Sequence, residues 1–129
     1  MVIERIKENE FFNHLGIEFT DITDSTLTAR IPFADSLKNP YGSLHGGVLY
    51  SVADIVCGSL ACMCGKYCTT VSGNIDYLTP GIANKYLECR ATLNRAGAHM
   101  VFVSCEIVSD TGARVATASF TFYKTEIDA

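Results

Sequence analysis

At 129 residues, with 48% hydrophobic and 19% charged side chains, the sequence has a globular composition, which excludes a disordered chain or a charge-driven interaction tail. Ten Lys and Arg against fourteen Asp and Glu give a formal charge of −4, so the clustered cations that phosphate-dominated nucleic-acid binding requires are absent. The length predicts one domain over residues 1–129.

The chain opens Met-Val-Ile-Glu-Arg-Ile-Lys without an apolar signal segment, so its six cysteines are expected as free thiols of a cytoplasmic protein. Residues 1–12 predict a short amphipathic helix with Phe11 and Phe12 tucked inward. Period-two alternation then marks strands, first at Ile17 and Phe19, then at Leu27, Ala29, Ile31 and Phe33. The segment Gly46 to Gly65 is different, apolar on nearly every side with Leu49, Val52, Val56, Leu60 and Met63 at helical spacing, and predicts a buried helix. Asp54 and four small residues inside it argue against a membrane span. Alternation resumes with Val71, Ile75 and Tyr77 on one face and Thr70, Asn74 and Asp76 on the other. Further sets follow at Leu87 to Leu93, Val101 to Ile107 and Ala116 to Phe122. Two strands, a helix and four strands predict an α+β fold, an antiparallel sheet wrapped around one long central helix. Such a sheet leaves an edge strand to cover, and homodimerisation covers it at low cost.

Asp54 is the only charged residue between His45 and Lys66. A carboxylate in an apolar helix costs several kcal/mol unless it reaches a partner or water, so it is either an ion of structural use or a general base in a cleft. Seven residues upstream, two helical turns, lies Gly47 on nearly the same face. His45-Gly46-Gly47 begins that helix, where unpaired N–H groups carry partial positive charge and glycines let a ligand approach the backbone. One such donor aimed at a developing oxyanion is worth on the order of 3 kcal/mol. An amide donor and a lone acid together point to acyl transfer or carbonyl polarisation.

The string Asn39-Pro-Tyr-Gly-Ser-Leu-His45-Gly46-Gly47, then Asp54, then Asn74-Ile-Asp-Tyr77-Leu-Thr-Pro80, resembles the hotdog-fold thioesterases of the phenylacetic-acid-degradation type, over essentially the whole chain. The resemblance implies hydrolysis of an acyl-CoA thioester, with the Gly46 N–H polarising the thioester carbonyl. It implies Asp54 of the partner subunit as general base or nucleophile. Asn39 matches the asparagine that orients water or thioester, His45 the histidine supporting that loop, and Thr70 a hydroxyl that positions the water. Gly47, Asn74, Tyr77, Arg95 and Gly97 match substrate-binding positions. No cofactor is implied, since coenzyme A belongs to the substrate, and the expected assembly is a homodimer pairing into a dimer of dimers.

Arg95 stands in the turn where the resembling proteins grip the phosphates of coenzyme A, but Ala98 replaces a second basic residue, so the phosphate grip is weaker, or His99 shares it, or the carrier is acyl carrier protein or pantetheine. His14, His99 and the cysteines show no metal-ligand spacing, and Cys57, Cys62, Cys64 and Cys68 read as packing residues. Two other functions fit less well. One is a non-catalytic acyl-CoA binding or sensing module. The other is a hydroxyacyl-thioester dehydratase, whose helix acid is replaced here by Ser59.

Overall fold

The computed structural model describes residues 2–129, and Met1, where the predicted N-terminal helix begins, lies outside them. That helix is two short ones, α1 (Val2–Lys7) and α2 (Glu10–Leu15). Asn9 separates them: it is extended, at ψ 133°, and its side chain accepts the Phe12 N–H. A capping asparagine starts a new helix rather than continuing the old one. The restart turns Phe12 and Leu15 inward, while Phe11 is 50% exposed, contrary to the expectation that both phenylalanines are covered.

The strands are β1 (Glu18–Ile22), β2 (Thr26–Pro32), β3 (Lys66–Tyr77), β4 (Tyr86–Ala96), β5 (Met100–Ser109) and β6 (Arg114–Asp128), with α3 (Gly46–Cys62) between β2 and β3. They form one antiparallel sheet in the order β1-β2-β4-β5-β6-β3. The long helix packs across one face of this sheet, as the alternation predicts. Leu27, Leu87, Val101 and Val103 from the sheet and Val52 and Val56 from α3 are fully buried. Each such side chain contributes roughly 1.5–3 kcal/mol of transfer free energy. The opposite face is polar, with Arg90 bonded to Glu88 at 2.8 Å and Arg114 to Glu106 at 3.2 Å. Among the described residues no helix is long and apolar enough to cross a membrane.

Two expectations need correction. The helix ends at Cys62, short of Gly65, because Met63 caps it and Gly65, at φ 101°, turns the chain into β3. Nor is α3 buried on every side: the sheet covers one flank, and a stripe through Gly47, Ser51, Asp54, Ile55 and Gly58 stays partly open. That stripe carries the one charged residue of the helix.

On β3 the expected faces are exchanged part-way. A register shift between Thr70 and Ser72 inserts a bulge. Each extra residue reverses the inside–outside parity of a strand. Thr70, with Cys68, therefore faces α3 on one side of the bulge, and Gly73, Ile75 and Tyr77 face it on the other. Val71, predicted inward, points out at 55% exposure. Among the described residues β3 pairs only with β6, so its other edge is open along twelve residues.

Candidate active site

The approach to α3 is built by a self-bonded loop. Asn39 Oδ1 accepts the Tyr41 N–H at 2.9 Å and the Ser43 N–H at 3.3 Å, and Asn39 Nδ2 donates to Ser43 Oγ at 2.9 Å. This Asx turn fixes residues 39–43. Leu44 N–H then bonds the Gly81 carbonyl and His45 N–H the Leu37 carbonyl, each at 2.9 Å.

His45 is the N-cap of α3, extended at ψ 137°. Its carbonyl accepts the N–H groups of Val48 at 2.9 Å and Leu49 at 3.1 Å, and its Nδ1 accepts the Gly47 N–H at 3.1 Å. A helix start leaves its first amides unpaired, and three of the first four here are satisfied by this one residue. Among the described residues nothing pairs with the fourth, the Gly46 N–H. Gly46 lines a cleft of about 350 Å³ with Asn39, Leu78, Gly81 and Tyr77, whose hydroxyl donates to the Gly46 carbonyl at 2.7 Å.

Asp54 sits elsewhere. Its Oδ1 accepts the Thr70 hydroxyl at 2.6 Å, and its Oδ2 accepts no hydrogen bond from the described residues. Both side chains open into a second cavity of about 360 Å³, walled by Phe12, Ile55, Phe122 and Tyr67. The bulge in β3 is what makes this possible, since Thr70 and Tyr77 are an odd number of residues apart and would otherwise face opposite ways.

Gly46 and Asp54 are eight residues apart, which at the helical rise separates them by about 12 Å along the axis. A group bonded to the Gly46 amide is thus out of hydrogen-bond reach of Asp54 in the same chain.

Other predicted positions lie apart from both. Asn74 is on the outer face of β3 in a depression with Ser72, Asn94 and Ser119. Arg95 and Gly97 line an open cleft of about 550 Å³ with His99 and Phe102. Gly47 is at the helix start, its N–H committed to His45. Two contributors had no sequence signal of their own. Ser43 locks the Asn39 turn from both its backbone and its hydroxyl. Gly73 leaves room for the Tyr50 hydroxyl and the Phe120 ring, which a Cβ there would overlap.

A family model described as the thioesterase superfamily matches residues 41–116, which run from the helix-start loop through Asp54 and β3 into β6. The chain belongs to the thioesterase superfamily. A Haemophilus influenzae protein named as a candidate esterase is 30% identical over 93 residues, covering 70% of this chain and 67% of that protein. Two further curated relatives match over only 40% and 35% of their own length. Among solved structures, the E. coli PaaI protein from the phenylacetic acid degradation operon has a TM-score of 0.91 at 21% identity, covering 98% of this chain and 91% of that one. A Streptococcus pneumoniae protein named as a hypothetical thioesterase, solved with coenzyme A, has a TM-score of 0.82 at 24% identity, over 88% of each chain. These likenesses show that this superfamily member has the hotdog fold.

Proposed function

We propose that this thioesterase-superfamily protein hydrolyses an acyl-CoA thioester to free acid and coenzyme A, in sites shared between two subunits. The observation that carries the reading is the single unpaired amide of the α3 first turn, Gly46 N–H, standing about 12 Å along the helix from the acid, Asp54. A carbonyl oxygen bonded to that amide becomes more electrophilic at carbon, and the negative charge formed on attack is stabilised there. Asp54 of the partner subunit then acts on the same carbon. As a base, its free Oδ2 takes a proton from water as the water oxygen bonds to carbon; as a nucleophile, that oxygen bonds to carbon itself and water later cleaves the anhydride. In either course the C–S bond breaks and coenzyme A leaves as its thiolate, which is protonated in the base course by the proton Asp54 took from water and in the nucleophile course by solvent, the Asp54 carboxylate being restored when water cleaves the anhydride. Thr70 holds Asp54 through Oδ1, His45 and Asn39 hold the helix-start loop, and no cofactor takes part.

Two features support the wider arrangement. The open twelve-residue edge of β3 needs cover, and a second copy of β3 supplies it in a homodimer, which then pairs into a dimer of dimers. The Streptococcus pneumoniae relative was solved with coenzyme A, and Arg95 and Gly97 border a cleft open enough for the phosphates of that carrier.

The test is release of free thiol from short-chain, long-chain and aryl acyl-CoAs. Turnover by the wild type, with loss of about 10² or more in kcat for Asp54→Asn, is the expected result. Binding of acyl-CoA without turnover would mark a binding module instead, and an undiminished rate in Asp54→Asn would remove Asp54 from the mechanism.

A further inference from the structure

We propose that Tyr77 is a positioning residue whose hydroxyl clamps the peptide next to the amide donor, holding the Gly46 N–H aimed into the cleft. The inference rests on the reading of Gly46 as the donor, and it adds a residue that acts through the Gly46 carbonyl rather than on the reacting atoms.

Glycine is the least restrained residue, so an oxyanion donor on Gly46 is only as well aimed as the two peptides that flank it. The preceding peptide, His45–Gly46, is pinned through its carbonyl, which accepts both the Val48 and the Leu49 N–H. The following peptide, Gly46–Gly47, is gripped at both ends. Its N–H donates to His45 Nδ1 at 3.1 Å, and its carbonyl accepts the Tyr77 hydroxyl at 2.7 Å. With both planes fixed, φ and ψ of Gly46 are fixed, and its N–H is left as the one unpaired amide of the turn. Preorganisation of this kind matters because a donor that must reorient during the reaction loses part of its stabilising effect.

The clamp comes from another part of the fold. Tyr77 is the last residue of β3 and faces α3 only because of the bulge between Thr70 and Ser72. The same bulge turns Thr70 onto Asp54. One strand therefore holds both functional positions of α3, Gly46 at its start and Asp54 near its middle. Partial burial, beside Tyr50, also pushes the phenol's proton affinity above its ordinary value, so the hydroxyl stays a donor across neutral and mildly alkaline pH.

Tyr77→Phe removes only the hydroxyl and keeps the ring. The expected result is a fall in kcat of roughly tenfold, with KM within about twofold and an unchanged thermal midpoint. Amide hydrogen exchange at Gly47, measured by NMR, should accelerate in the same variant because its peptide has lost one anchor. A change in KM or acyl preference with kcat preserved would make Tyr77 a substrate contact and overturn the positioning role. An unchanged kcat would overturn it as well. If the wild type turned over no acyl-CoA, the proposed activity would fall on its own; Gly47 exchange would still decide the clamp, and unaltered protection in Tyr77→Phe would refute it.

Discussion

Thr70 and Asp54 share a 2.6 Å hydrogen bond that joins the open edge strand to the exposed stripe of the central helix. The hydroxyl is the donor and occupies Oδ1, leaving Oδ2 for a proton or a carbon atom. Thr70→Val preserves shape and removes the bond. It is expected to lower kcat by roughly tenfold and the thermal midpoint by no more than about 5–15 °C, because hydrogen bonds to charged groups contribute about 1.5–3 kcal/mol at most. Steady-state thiol release and a melting curve check both halves, and a fully active Thr70→Val would make the bond ornamental to the reaction.

Gly46→Ala tests the amide donor sterically. A Cβ at this position would stand 3.3 Å from the Tyr77 hydroxyl and 3.4 Å from its ring, and it would project beside the N–H that the thioester oxygen must approach. Expected is a loss of kcat of about 10², comparable to removal of one oxyanion donor. Alanine is the better helix former, so global stability should hold or rise slightly. A wild-type rate would show that the carbonyl binds elsewhere.

His45→Ala deletes the cap of α3, leaving the Gly47 N–H without its acceptor. Loss of a capping side chain costs about 1 kcal/mol, equivalent to roughly 3–6 °C in thermal midpoint for a domain of this size. Activity should fall further than stability does, since the loosened peptide adjoins Gly46. Calorimetry together with kinetics on one preparation separates the two effects, and a drop in stability with no change in kcat would contradict the linkage.

Acid should weaken the fold through Asp110. Its carboxylate accepts the N–H groups of Asn84 and Lys85, each at 2.7 Å, and of Tyr86 at 3.3 Å, and these backbone bonds hold it below the usual carboxylate range. A depressed folded-state value means stabilisation that is complete above the unfolded value near 4 and is lost as pH falls through the folded one. The gap in thermal midpoint between wild type and Asp110→Asn should therefore be widest at neutral pH, narrow as pH falls below about 5, and close only once pH has passed below the depressed folded value. A gap independent of pH would mean that the charge of Asp110 is not what holds this loop, whose Gly81 carbonyl anchors Leu44 beside His45.

How much of this was legible beforehand differs by element. The strands β2, β4, β5 and β6 alternate over most of their length because one face is buried, and Leu27, Cys89, Val103 and Phe120 all stand inward as their spacing predicts. Asp54 was legible because a lone charge in an apolar helix demands a reason. β3 was not, since most of its residues are exposed and no apolar face fixes the register, so the bulge that turns both Thr70 and Tyr77 onto α3 leaves no trace in the pattern. The helix break at Asn9 is hidden for a similar reason. The apolar spacing of residues 1–12 continues across it, and only its capping bond to Phe12 divides the segment in two. The clamp of Tyr77 on the Gly46 carbonyl joins residues 31 apart in sequence, and no local rule reports it.

Subunit complementation bears most directly on the claim that Gly46 and Asp54 of different chains act on one thioester. Gly46→Ala and Asp54→Asn are each expected to be nearly inactive alone. Unfolded together and refolded as an equal mixture, half the dimers are mixed, and each mixed dimer regains one intact site of two, so about a quarter of wild-type activity should return. A mixture no more active than its components would contradict the shared site.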